Sequence, residues 1–314
     1  MLKFIKRILF SLFVLVISDG IIDSYIEYLP NKEVDKRLEF VLNGKINKEI
    51  IIVGSSRGAR NIIASDLEEI TGKTSYNLSY PGSDVTFHEF IIRTLLKFNN
   101  PPEYIVLTMD GRSQLTPNSS INFRFDRLYP LVKYNYILEE LIQRQEISQG
   151  ARYINILRIK PSQYDYRPRE FGKLDSLLEC GSMPISFQDE RLDTIFYDDK
   201  ETLYSEYLEK ESKKKIEALL SIREICKNYG VELVIVFPPN LYSDPNGLEE
   251  RILGLLNMEN AIMIPSDNHL FKNPYYYYDN SHLQKNGAKY FSIYLAEVLE
   301  RDFLKNKPVN ISTD

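Results

Sequence analysis

Along this chain, short unbroken apolar runs alternate with longer stretches in which apolar residues recur every three or four positions. Ile50-Ile51-Ile52-Val53 is the strongest of the short runs. Four consecutive β-branched residues leave no polar face, which predicts a strand buried on both sides of a sheet. The same reading predicts strands at 75–80, 104–109, 232–237 and 261–264. Helical spacing joins Ile62, Ile63, Leu67 and Ile70 over 59–70, closed by Gly72. It also joins Phe87, Phe90, Ile91, Leu95 and Leu96 over 85–98, before the breaker Pro101-Pro102. Further helices are expected at 202–229, 249–256 and 283–304. Strand and helix in turn, with short connections, predict a doubly wound α/β fold with a parallel five-stranded sheet.

Two stretches stand outside this alternation. Residues 112–201 hold one helical pattern, 134–143, then Tyr- and Arg-rich sequence broken by Pro161, Pro168 and Pro184. The aromatic residues Tyr129, Tyr134, Tyr136, Tyr153, Tyr164, Tyr166 and Phe171 predict an ordered cap inserted after the third strand. At the N-terminus Lys3, Lys6 and Arg7 precede the apolar run Ile8 to Ile17, and Asp19-Gly20 interrupts it. That run is shorter than the roughly 20 residues of a spanning helix, but Phe4 to Tyr28 has the length, and no small-residue cleavage site follows. The expectation is an uncleaved signal anchor over 1–28 that attaches the chain to a membrane. Its basic end would lie in the cytoplasm and the rest of the chain on the periplasmic or extracytoplasmic side. A polar connector at 29–48, the α/β domain at 49–305 and a tail at 306–314 complete the expected layout.

Composition narrows the function classes. The 314 residues are 43% hydrophobic and 26% charged, ordinary for a globular protein, with a net charge of −5. With no long basic stripe, nucleic acid is not expected as a partner. Two cysteines, Cys180 and Cys226, exclude a disulfide framework and a cysteine-rich zinc site while leaving room for one bridge. No metal or cofactor is expected.

Candidate chemistry sits at two corners. Gly54-Ser55-Ser56-Arg57 follows the first strand and opens a helix, where unpaired backbone N–H groups favour an anion. A serine there is either a helix cap or a nucleophile. Asp279-Asn280-Ser281-His282 precedes the last helix, and Asp279 can orient the imidazole of His282 through one ring nitrogen. In a doubly wound sheet the carboxyl ends of strands one and five share an edge, so these loops can meet.

With both corners in view, the chain resembles the SGNH (GDSL-like) hydrolases and acyltransferases. Gly54-Ser55-Ser56 is similar to the first block of that superfamily, and Asp279-x-x-His282 to its last. Gly82, in Asn77-Leu78-Ser79-Tyr80-Pro81-Gly82, stands where a second-block glycine belongs. The resemblance implies a flavodoxin-like three-layer sandwich in which Ser56 attacks an ester, His282 takes its proton and Asp279 orients His282. It implies an oxyanion hole from the N–H groups of Ser56 and Gly82. The third block departs from the pattern: Met109-Asp110-Gly111-Arg112 has no asparagine, and a carboxylate repels an oxyanion. Asn77 and Arg57 are the candidate replacement donors, and Arg57, Asp110 and Arg112 are candidate substrate-binding residues. The anchor, the Gly-Ser-Ser-Arg start and the missing block resemble envelope-associated bacterial members. That resemblance implies an acyl donor and a polysaccharide acceptor, or an acylated glycan, as partners. The alternative is a catalytically impaired glycan- or partner-binding envelope protein.

Overall fold

The computed structural model describes residues 1–160, 171–172, 176–186, 202–241, 244–259, 261–264 and 268–304. Strand β1 (Ile50–Val53) is buried at every position, as an unbroken β-branched run requires. It pairs in parallel with β2 (Ser75–Asn77) on one side and β3 (Tyr104–Thr108) on the other. β3 pairs in parallel with β4 (Glu232–Val236). Among the described residues the sheet therefore has four strands in the order β2-β1-β3-β4. The expected fifth strand is corrected to a single parallel bridge, Val236 with Ile262. Ile262 alone meets β4 there, its N–H donating to the Ile235 carbonyl and its carbonyl accepting from Phe237 N–H.

The chain divides into two units. One comprises Met1–Glu39 with Arg124–Phe171, and the other Phe40–Phe123 with Gly172–Asp314. The sheet lies in the second. Ile50, Ile52, Val106 and Val234 pack with Leu67 of α4 (Ala64–Thr71) and with Phe291 and Leu295 of α10 (Lys285–Leu299). Alternation along each strand turns Ile51, Val53 and Ile105 to the opposite face, where α5 (Val85–Phe98) packs on β1 and α8 (Lys213–Asn228) on β4. The short helix α9 (Leu248–Leu256) packs on α8. Cys226 is buried and Cys180 partly so, both as free thiols, and burial pushes the Cys226 thiol up to about 12.

The helix expected at 59–70 is two helices, α3 (Ser56–Asn61) and α4, separated by extended Ile62 and Ile63. The break is tertiary in origin. Ile63 N–H donates to Ser292 Oγ, Ala64 N–H to Ser182 Oγ, and the Ile62 carbonyl accepts from Asn77 Nδ2. The stretch expected at 202–229 is likewise a 3₁₀ segment, Tyr204–Lys210, followed by α8.

The first unit is built on α1 (Leu2–Tyr28), with α6 (Phe125–Leu128) and α7 (Asn135–Gln143). The small helix α2 (Arg37–Leu42) straddles the division between units. Among the described residues no helix is long and apolar enough to cross a membrane. The expected spanning helix is therefore corrected, and α1 has a clear reason to fall short. Lys3, Lys6 and Arg7 on one side and Asp19 and Asp23 on the other bracket too short an apolar run, and the second half of the helix is engaged in its unit. Asp19 accepts from the backbone and side-chain N–H groups of Asn155, and Ile26 is fully buried. Of the cap expected at 112–201, residues 161–170, 173–175 and 187–201 lie outside the described residues, and 124–171 belong to the first unit.

Candidate active site

Ser56 is the first residue of α3, and Ser55 is its N-cap. The strand must turn into this helix within Gly54, where a Cβ would stand 1.8 Å from Thr108 Oγ1. Glycine is thus required by the close approach of β3, and the turn carries Ser56 to the carboxyl edge of the sheet. His282 arrives from the loop before α10. Its Nε2 lies 2.7 Å from Ser56 Oγ, while its Nδ1 lies 2.8 Å from Asp279 Oδ2 and 2.9 Å from Oδ1. Asp279 Oδ1 also accepts from the backbone N–H groups of Ser281 and His282, each at 2.8 Å. Burial pushes the Asp279 carboxyl up, but the hydrogen bonds and charge of His282, with those two N–H groups, outweigh it and hold the group at about 2. The ionised carboxylate accepts the Nδ1 proton, which leaves Nε2 bare to accept from the serine hydroxyl.

A pocket of about 200 Å³ adjoins Ser56, bordered by Arg57, Asp110, Ser113, Asn240, Asp244 and Ser281. The N–H groups at the start of α3 already face acceptors. That of Ser56 lies 2.5 Å from Ser55 Oγ, and that of Arg57 donates to Asp110 Oδ2 at 3.1 Å. The carboxylate of Asp110 thus occupies the helix N-terminus as an internal anion.

The remaining expected residues fall in different places. The Gly82 turn is anchored at the same corner, where Tyr80 N–H donates to the Gly54 carbonyl at 2.9 Å; Gly82 itself has φ of 75°. Asn77 is wholly buried, with Nδ2 on the carbonyls of Gly58 and Ile62 and Oδ1 on Ser79 N–H. It is a brace between β2 and α3, which corrects its expected place in the oxyanion hole. Arg57 is also inward: Nη1 donates to the Pro238 carbonyl at 3.1 Å, and the guanidinium lies 3.9 Å from both Asp110 and Asp244. It joins the ends of β3 and β4 rather than offering a free donor. Arg112 is exposed and stacks over Tyr207 at 4.3 Å, bordering a second depression of about 590 Å³ with Thr116 and Lys210.

Several residues at the site carried no local signal in the sequence. Asp244 and Asn240 are joined at 3.0 Å and reach the pocket from the loop after β4. Lys215 is buried in α8 and donates to the carbonyls of Ser113 and Thr116 at 2.8 and 3.1 Å, with Asp84 3.6 Å away. It fixes the loop that carries Ser113 to the pocket. A scan against protein-family models and a search of curated proteins return no match to this chain.

Proposed function

We propose that this protein is a serine-dependent esterase or O-acyltransferase of the SGNH-like kind, working through an acyl-serine intermediate. The observation that carries the reading is the continuous Asp279–His282–Ser56 chain of hydrogen bonds, at 2.8 and 2.7 Å, opening on a pocket at the sheet edge. A serine hydroxyl is a weak nucleophile at neutral pH and needs this arrangement. His282 Nε2 takes the Ser56 proton as Oγ attacks the ester carbonyl, then returns it to the leaving alcohol. The same base next activates water, or a sugar hydroxyl, to release the acyl group. We read the substrate as an acylated or acyl-accepting polysaccharide of the cell envelope. The exposed apolar stretch of α1 behind Lys3, Lys6 and Arg7 supports attachment to a membrane.

The test is covalent labelling by a fluorophosphonate probe, together with turnover of a small acetate ester. Ser56→Ala and His282→Ala are each expected to abolish labelling, and Asp279→Asn to leave a trace. Because the three act as one unit, the double variant Ser56→Ala/His282→Ala should be no worse than either alone. Ser55→Ala is expected to retain labelling, and a label found on Ser55 would move the nucleophile by one residue. Equal labelling of wild type and Ser56→Ala would remove the catalytic reading. A second reading, a binding protein whose triad has lost its catalysis, is favoured by one observation: the Asp110 carboxylate takes the Arg57 N–H beside Ser56, putting a negative group next to where an oxyanion would form.

A further inference from the structure

Asn61 closes the six-residue helix that Ser56 opens, and it is wholly buried. Its Oδ1 accepts from Leu283 N–H at 2.9 Å, and its Nδ2 donates to the Ser281 carbonyl at 3.4 Å. One amide therefore holds the backbone on both sides of His282. Only one orientation of the amide satisfies both contacts, since an N–H must meet Oδ1 and a carbonyl must meet Nδ2.

The loop's own hydrogen bonds do something different. Asp279 takes the N–H groups of Ser281 and His282 and the Nδ1 proton, all within four consecutive residues. These contacts orient the ring within its loop but leave the loop free to move as a body against Ser56. Leu241 N–H, bonded to the Asn280 carbonyl at 2.8 Å, ties the loop to the segment after β4. Asn61 ties it to the nucleophile's own helix.

We infer that Asn61 is a positioning residue that sets the distance from Ser56 Oγ to His282 Nε2, an inference that rests on the acyl-transfer reading above. Proton transfer needs that distance within about 2.6–3.2 Å, and a slip of about 1 Å can cost roughly 10²-fold in rate. The residue touches neither substrate nor the reacting atoms. Its effect is on the register between two pieces of chain 226 positions apart.

The test compares wild type, Asn61→Ala, Asn61→Asp and Asn61→Ser in the full chain. The readouts are the fluorophosphonate labelling rate, kcat and KM for 4-nitrophenyl acetate, and the low-field proton resonance of the His282–Asp279 hydrogen bond. Asn61→Ala is expected to slow labelling and lower kcat by about 10- to 100-fold with KM little changed. The low-field resonance should persist, because the Asp279–His282 pair is internal to its loop. Asn61→Asp keeps the acceptor for Leu283 N–H but sets a buried carboxylate oxygen against the Ser281 carbonyl, two acceptors face to face, so its loss should match or exceed that of alanine; Asn61→Ser, which keeps a small polar group, carries the test if the alanine variant does not fold. Wild-type labelling rates in a folded variant would overturn the inference. So would loss of the low-field resonance together with labelling, since Asn61 would then be holding the loop's own fold. A wild-type protein that takes no label at all would instead remove the catalytic reading, and this inference with it.

Discussion

Asp110 is the residue on which the proposed activity would turn. Its Oδ2 accepts from the N–H of Arg57 on the first turn of α3, a place where developing negative charge would otherwise be welcomed. A carboxylate there competes with the oxyanion and repels it. Asp110→Asn would keep an oxygen for the Arg57 N–H and add an amide donor beside the pocket. One oxyanion donor is typically worth 10²–10³ in rate, so this variant is expected to raise kcat for a small ester by about tenfold or more. A steady-state comparison of the two proteins checks it, and a fall in kcat would mean that Asp110 itself assists the reaction. Asp279, held at about 2 by the hydrogen bonds and charge of His282 against its burial, stays ionised on mild acidification and keeps its place as the acceptor for Nδ1.

At the scale of elements, α3 shows how close packing positions a nucleophile. Gly58 sits within this helix, and a Cβ there would lie 2.6 Å from both Ser79 Oγ and Thr108 Oγ1. Alanine is the better helix former by up to about 1 kcal/mol, yet here it would push into the side chains of Ser79, just past β2, and Thr108 of β3. Gly58→Ala is therefore expected to destabilise the protein by about 1–3 kcal/mol, measured as a lower denaturant midpoint at unchanged slope. The elements that were legible from sequence are those whose reason is local. β1, β3 and β4 are apolar runs, α5 has its apolar spacing, and the Gly54 corner has its small residues. Ser56, His282 and Asp279 were legible because each stands at a strand-to-helix or loop-to-helix junction. What stayed hidden is tertiary: the break at Ile62–Ile63 made by Ser182 and Ser292, the buried Asn77 brace, the Lys215 clamp, and Asp244 beside Arg57. Residues far apart in sequence make each of these, and no period or motif announces them.

For the molecule as a whole, acid sensitivity should come from behind the site rather than from within it. His88 is fully buried in α5, with Nε2 on Ser83 Oγ at 2.9 Å. Burial pushes its pKa down from 6.5 to about 4, against the upward pull of Asp110 and Asp84. The imidazole is thus neutral when folded, while the unfolded chain takes up a proton near pH 6.5. The stability this depressed pKa contributes is complete above pH 6.5 and is lost as pH falls from there towards about 4. Thermal unfolding followed across that window should show a falling midpoint, and His88→Gln, neutral at every pH, should flatten the slope. Equal slopes would place the sensitivity elsewhere. The junction at Asp19 bears on how the protein can be divided. Residues before it are apolar and exposed, whereas those after it include Ile26 in the core of their unit and the carboxylate that receives the Asn155 turn. The division between the exposed lead and the folded part of the first unit therefore runs through the middle of a helix. A chain shortened just before Asp19 sheds most of its greasy lead and keeps Asp19 on the Asn155 turn and Ile26 in its core, while one shortened at the end of the helix, where a hydropathy plot would cut, loses both.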